Sequence, residues 1–542
     1  MTDFSLRSAP DPIPNDRSNR FLFESKAMVI VILALLGLII FIPRWVSYQE
    51  PLMCDVANYA VMGHEWLKGR SLYTDLLDNK PPLLYLSFAL GEKLFGYGSP
   101  QCFWLGLLTA LLTMAAVYLV GFRLRRRPLD GLLAAAFWAG ISADGKLDAN
   151  QPMAEAFMNL FLAWGFYFAL PGRDQRPRWA AWAFAGVALA TASFYKNTAW
   201  YIPLSIGLTY MFAFLRERHP IKAMAAVCCF VGPTVLFWGA YLLYAKASGF
   251  YPDLKAILWT FNRFYGGSIP WDLATGPLHW HPEALFLLPA MGLTLAAIVW
   301  GWRRCDRVGW ILAAFVIGIY GAVFSYSFQR SYYHQLWLPA LSVGIGWFGA
   351  LASEKANHTM RRGGAIALAV VFLLLLVREI PWWGMNPYQW SFAKYKTSFV
   401  VEEPIARDLE NILLPQEPFY VFSYHSGLYV LTGKSPPSGV SVEFYLRVGP
   451  FQEAYARKAE AELEKSRNEI IVCWNHFEKQ EWETNPFILW TREHYRPLVE
   501  NPHPGSMIFL VRKGGRLDHT YPRAPNGYGP GPGWGKLPDS KS

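Results

Sequence analysis

Residues 28–46 read MVIVILALLGLIIFIPRWV, an apolar run broken only near its end by Pro43-Arg44. A bilayer core takes about 20 apolar residues per helix, so this is a first membrane span. A polar leader with Arg7, Arg17, Arg20 and Lys26 precedes it. The leader ends without a small-residue cleavage site, so the run reads as an uncleaved helix and not as a signal peptide. Ten further runs follow, at about 102–122, 129–143, 153–170, 179–195, 199–215, 223–246, 284–302, 308–326, 333–352 and 364–381. The expectation is an α-helical polytopic membrane protein of about 11 transmembrane helices, the short third run being the weakest.

Composition agrees. The chain has 542 residues, 53% hydrophobic, 16% aromatic and only 17% charged. Its mean hydropathy is +0.16. Soluble domains carry about 25% charged residues, so a disordered chain, a coiled coil and an ordinary soluble enzyme are excluded. The 24 Trp, 28 Tyr and 37 Phe suit membrane interfaces and pockets for apolar or ring-shaped ligands. Six cysteines, scattered apart from Cys228-Cys229, have neither disulfide-framework nor zinc spacing.

The loops orient the spans. Alternate loops are short and basic, at 123–127, 173–178, 216–222, 303–307 and 355–362. The positive-inside rule makes them cytoplasmic. The external loops 47–101, 144–155, 247–283 and 327–333 are mostly longer and hold more carboxylates. The N-terminus is then cytoplasmic and the C-terminus extracytoplasmic. The net charge of +10 sits mainly in the leader and the cytoplasmic loops, because acidic and basic residues balance beyond Ile380. It is an orientation signal, and no nucleic-acid partner is expected.

Beyond the last span the pattern changes. Residues 405–414 and 453–465 read as helices, and 419–422, 470–473 and 507–511 as buried strands. Strands interleaved with helices predict a small α/β domain. The division is a cytoplasmic leader (1–26), a transmembrane module (27–381), an extracytoplasmic α/β domain (382–514) and a Pro/Gly-rich disordered tail (515–542).

The first external loop is the most informative. It holds Asp55, Tyr59, Gly69, Tyr73 and Asp75, then Asp78-Asn79-Lys80-Pro81-Pro82, then Tyr85. Asp55 lies just past the first span, where a carboxylate is costly unless solvated, paired or functional. Tyr59 is one helical turn later. Pro81-Pro82 restricts where Lys80 points. Residues 83–95 are apolar but too short to span and read as an interfacial helix. One such acid or Lys alone is more often an anchor of the span; the combination is what matters.

This spaced set resembles the first-loop signature of bacterial GT-C glycosyltransferases of the family 39-like group. That group uses polyprenyl-phosphate sugars and includes protein O-mannosyltransferases and lipid A aminoarabinose transferases. The hydropathy pattern agrees over residues 27–381. Glu155, before the fourth run, matches an acidic position of the group; by itself it is as well explained as a carboxylate at a helix N-terminus. Arg330-Ser331-Tyr332-Tyr333-His334 resembles the group's Arg/aromatic/His segment, although Gln335 stands where an aromatic is usual. Lys196 matches a recurrent position, where snorkelling is the commoner role.

The resemblance implies an inverting transfer of a hexose or pentose from a polyprenyl-phosphate donor, at the outer face of a bacterial plasma membrane. The acceptor is an envelope lipid, glycan or protein. The residue types fit. Asp55 is the expected general base, with Glu155 assisting. Lys80 and Arg330 would meet the phosphate charge, with Tyr333 or His334 adding a hydrogen bond. Tyr59, Asp78, Tyr85 and Lys196 would support substrate or loop. Membrane lipids would surround the spans. Metal use is left open: relatives differ, and Asp55 with Glu155 are too few ligands to assert a divalent ion. Residues 259–267, aromatic with a Gly pair, read as a lid or as a helix end and turn. A transporter or lipid flippase, and a non-catalytic scaffold, are the alternatives. Few charges inside the spans speak against the transporter.

Overall fold

The computed structural model describes residues 25–171, 177–303, 307–326, 329–354, 358–474, 479–498 and 507–521. Nearly all of the leader and of the Pro/Gly tail lie outside the described residues, as do parts of the loops around 173–176, 304–306, 327–328 and 355–357.

Each of the eleven apolar runs is helical. Helix α1 (Lys26–Val46) is followed by α2 (Cys54–Leu67), α3 (Pro82–Phe95) and α4 (Ser99–Arg125). Among the described residues, seven helices are long and apolar enough to cross a membrane: α1, α4, Asn197–Arg216, Pro282–Arg303, Arg307–Phe324, Ser331–Ser353 and His358–Trp383. Pro220–Phe230 and Gly232–Ala247 form an eighth if taken as one span, bent by 46°. Pro128–Ile141, Ala154–Ala169 and Trp179–Ser193 are shorter. By length and composition, seven or eight of the expected 11 pass among the described residues, and the others are helical but shorter. At 1.5 Å per residue, the 14 residues of Pro128–Ile141 reach only about two thirds of a roughly 30 Å hydrocarbon core. The chain is a multi-pass membrane protein with a predominantly helical fold.

Small residues set the closeness of the helices. A Cβ at Gly186 would lie 1.9 Å from the Cys229 carbonyl oxygen, so Trp179–Ser193 and Pro220–Phe230 meet backbone to backbone. Close approach at glycine is the common basis of helix packing where no hydrophobic drive operates. Polar side chains tie the ends of the bundle together. Arg44, buried in the last turn of α1, donates to the carbonyls of Ser142 (2.5 Å) and Ala149 (3.2 Å). Lys394 is buried against Glu50 (2.6 Å), whose other oxygen accepts from Asn150 (2.6 Å).

Two helices, α2 and α3, lie between α1 and α4. The helix expected at 83–95 is α3, with Leu84, Tyr85 and Phe88 buried and Leu90 and Leu94 exposed. The 259–267 stretch is a helix end and a turn. Residues Ala256–Phe261 are π-helical, Asn262–Gly266 continue as α-helix, and Gly267 turns the chain at φ +71°.

Past the last apolar helix comes a small mixed sheet flanked by helices. Its strands are β1 (Phe419–Phe422), β2 (Ile470–Trp474), β3 (Tyr495–Pro497) and β4 (Met507–Arg512), in the order β1-β2-β4-β3. β1 and β2 are parallel, with Phe419 opposite Ile470, and the other pairs are antiparallel. The expected helices are Glu402–Ile412 and Gln452–Ser466. Strand β3, only three residues long, has too little alternation to read from sequence.

Substituting Gly186→Ala should push the two helices apart. Overpacking of this kind costs about 1–3 kcal/mol, and a lower melting temperature of the detergent-solubilised protein would register it.

Candidate functional site

Asp55 sits in the first turn of α2, where unpaired backbone N–H groups favour a carboxylate. It is part-exposed and accepts a hydrogen bond from the Tyr332 hydroxyl at 3.0 Å. Tyr59, one turn on, is buried edge-on to Tyr85 (6.3 Å) and Phe88 (5.8 Å). It packs α2 on α3.

Lys80 is aimed by its neighbours. A residue before proline is held extended, and Pro82 suits the first position of α3. The Lys80 N–H donates to the Tyr85 hydroxyl (3.3 Å), and its carbonyl accepts from the Tyr73 hydroxyl (3.0 Å). The ammonium donates to Asn79 Oδ1 at 2.8 Å. Burial works against this charge, but Asp78 and Asp55 outweigh it and hold the Lys80 pKa above the ordinary lysine range. Asp78 is buried. Burial, with Asp55 adding, raises its carboxyl pKa, while Lys80 and hydrogen bonds to Asn79 and Tyr85 pull it back.

The second half of the site comes from three distant segments. Glu155, in the first turn of Ala154–Ala169, is buried and accepts from Lys196 Nζ at 2.7 Å. Lys196 does not snorkel: it is 5% exposed and its ammonium lies 3.5 Å from the Tyr333 ring centroid. Burial pulls its pKa down, and Glu155 opposes this. Arg330 is exposed, within electrostatic range of Asp55, Tyr332 and Tyr333.

Lys80 and Lys196 line one small cleft, walled by Tyr265, Tyr326 and Tyr333 and closed by Asn262. Two ammonium groups from positions 116 residues apart (196 minus 80) thus share one space. His334 does not join them. It is fully buried on the other side of its turn, 4.9 Å from Trp280 and 6.0 Å from Phe324 by ring centroids. Ser331–Leu336 is a 3-10 helix, in which consecutive residues point about 120° apart. Tyr332, Tyr333 and His334 therefore face three directions, and only the first two reach the polar cluster.

Among the described residues, no three His, Cys, Asp or Glu side chains converge as metal ligands. Glu155 is engaged by Lys196 and Asp55 by Tyr332, so these two carboxylates do not present a ready cation cage.

Sequence reading passed over Tyr326, Asn262 and Asn58. Asn262 holds the 251–266 helices onto the site, exchanging bonds with the Asn79 side chain (2.9 Å) and carbonyl (3.0 Å). The only sequence signal for it was its place in the aromatic 259–267 stretch.

A family model described as dolichyl-phosphate-mannose-protein mannosyltransferase matches residues 79–238. That window contains Lys80, Glu155 and Lys196. The undecaprenyl phosphate-alpha-4-amino-4-deoxy-L-arabinose arabinosyl transferase 2 of Pseudomonas fluorescens is 28% identical over 177 residues. The match spans 31% of this chain and only 29% of that curated relative's length. ArnT from Cupriavidus metallidurans bound to undecaprenyl phosphate superposes with a TM-score of 0.56, at 15% identity, over 90% of this chain and 98% of that one. Its apo state gives 0.55 at 14% identity, over the same shares of both chains. The chain has the GT-C fold of ArnT, and its resemblance to the GT-C glycosyltransferases holds.

Glu155→Gln should leave Lys196 buried without a counter-charge, at a cost of about 3–5 kcal/mol. Thermal unfolding in detergent is expected to show a large loss for Glu155→Gln, partly recovered in Glu155→Gln/Lys196→Met.

Proposed function

We propose that this chain is a membrane glycosyltransferase that takes a sugar from a polyprenyl-phosphate donor and passes it, with inversion, to a hydroxyl or phosphate of an envelope lipid, glycan or protein. The observation that carries the reading is the tyrosine-walled cleft holding both Lys80 and Lys196. Paired cations in a confined, low-dielectric space are suited to an anion. The printed names of the relatives supply the chemical class: mannosyl and aminoarabinosyl transfer, with undecaprenyl phosphate bound in one of them.

In this reading the donor phosphate lies against Lys80, with Tyr333 beside it and Arg330 at the mouth. As the glycosidic C–O bond breaks, negative charge grows on the phosphate and these groups stabilise it. Asp55 takes the acceptor proton, and the Tyr332 hydroxyl keeps its carboxylate oriented. Glu155 acts by holding Lys196. Asp78 and Tyr85 support Lys80 from behind. His334 has no part at the phosphate, because it faces away. The site lies at the outer face of a bacterial plasma membrane, with residues 382–514 extracytoplasmic. A transporter would need paired broken helices around mid-membrane charges. Among the described residues the one bent pair breaks at Val231-Gly232-Pro233, with no charged residue there.

Asp55→Asn should abolish sugar transfer while expression stays normal; full activity would remove Asp55 as the base. Lys80→Ala and Arg330→Ala should each weaken undecaprenyl phosphate binding by roughly tenfold, the worth of a charged hydrogen bond. Wild-type affinity in both would end the phosphate assignment. Mass spectrometry of envelope lipids, glycans and proteins with and without the chain identifies the acceptor and the sugar.

A further inference from the structure

The loop that carries Lys80 has little helical support between α2 and α3. It turns through Tyr73, which holds a left-handed φ of 71°. That conformation is strained for a side chain with a Cβ. Its own backbone bonds are few: Tyr73 N–H to the Leu76 carbonyl (2.7 Å) and Leu76 N–H to the Ser71 carbonyl (3.0 Å) among them. Further fixing comes from far along the chain.

Residues 435–445 lie against it over their whole length. Lys68 donates to Ser435 Oγ (2.6 Å) and Arg70 to the Pro436 carbonyl (3.0 Å). The Leu77 N–H donates to the Gly439 carbonyl at 3.0 Å. The approach is so close that a Cβ on Gly439 would lie 1.4 Å from the Asp75 carbonyl oxygen. At the end of the segment both oxygens of buried Asp78 are held. Tyr445 donates its hydroxyl to Oδ1 (3.1 Å), and Asn58 donates its amide to Oδ2 (2.6 Å). Asn58 is held in turn by the Ser441 hydroxyl at 3.1 Å.

We propose that residues 435–445 form a positioning arm: Tyr445, and Ser441 through Asn58, fix the Asp78 carboxylate, which accepts the Asn79 N–H (2.6 Å), and the Asn79 side chain holds the Lys80 ammonium (2.8 Å) at the donor phosphate. The inference rests on the donor-phosphate reading above. It makes the region beyond the membrane helices part of the site. Tyr445 and Ser441 touch no reacting atom; they act through Asp78.

The groups facing Asp78 are Lys80, Asp55 and the phenols of Tyr59, Tyr73, Tyr85 and Tyr445. Hydrogen bonds to a carboxylate favour its charged form. Losing the one from Tyr445 raises further a pKa that burial has already raised. The negative charge facing Lys80 is then lost at a higher pH than in the wild type, so the acid limb of donor binding moves up.

The test uses the full chain in detergent with undecaprenyl phosphate as probe. Tyr445→Phe keeps the ring that packs 4.7 Å from Phe261 and removes only the hydroxyl. It should raise Kd about three- to tenfold and shift the acid limb of binding to higher pH. Ser441→Ala should act in the same direction. Tyr455→Phe, whose ring lies 6.1 Å from that of Tyr445, should match the wild type. In an Asp78→Asn background Tyr445→Phe should add little, since the two act through one bond. Without ligand, amide exchange of residues 73–81 should speed up in Tyr445→Phe and in Gly439→Ala, while α4 keeps its protection. Unchanged Kd and pH profile in Tyr445→Phe and Ser441→Ala would overturn the arm, as would an equal effect with and without Asp78. A wild type that does not bind undecaprenyl phosphate would overturn the donor reading instead, and the exchange rates would then decide the arm alone.

Discussion

A cation buried at the mouth of an apolar helix bundle needs its counter-charge in contact with it, and the Lys196–Glu155 bond at 2.7 Å meets that need. Removing either partner strands a charge where water cannot reach it. The pair therefore fixes the start of Ala154–Ala169 against the turn after Trp179–Ser193. With the ammonium 3.5 Å from the Tyr333 ring, it also brings in the start of Ser331–Ser353. Three segments far apart in the chain are set by one ion pair and one cation–π contact.

Lys80 meets the cost differently: its ammonium donates to Asn79 Oδ1 at 2.8 Å, and Asp78 and Asp55 act on it through space. Its charge survives burial because Asp78 and Asp55 outweigh the loss of water. Asp78 is a buried carboxylate and needs hydrogen bonds of its own, which it draws from Asn58 and Tyr445. Compensation thus passes outward from the cleft: from Lys80 to Asp78, and from there to Asn58, Ser441 and Tyr445. The bundle and the mixed-sheet region thus meet at the buried Asp78 carboxylate.

Much of the site was legible. Asp55 and Lys80 stood out as part of a spaced set in the first loop, and Glu155 and Arg330 through the family resemblance which that set carries; each alone has an ordinary reading as an anchor or helix-end charge. Lys196 was visible but misweighted: a lysine at a helix end usually reaches for water, and only the fold put Glu155 within its reach. His334 was offered as an alternative to Tyr333 for a phosphate hydrogen bond because the segment resembles an Arg/aromatic/His motif. The tight turn of Ser331–Leu336 sends the two side chains in different directions. Tyr445, Ser441 and Asn58 gave no signal, since a tyrosine, a serine and an asparagine in mixed sequence are common everywhere.

The fold divides in the same way. Hydropathy alone determined that this chain crosses a membrane repeatedly and located the apolar helices, because burial of apolar surface is a property of each segment's own composition. The strands at 419–422, 470–473 and 507–511 were equally local, as runs of buried β-branched and aromatic residues. Tertiary structure decided which charges face each other, which helices are bent or short, and which side of a turn a residue occupies. These depend on distances between segments tens to hundreds of residues apart. No local pattern encodes them, and electrostatic and hydrogen-bond energies fall away unless such distances are met to within a few tenths of an ångström.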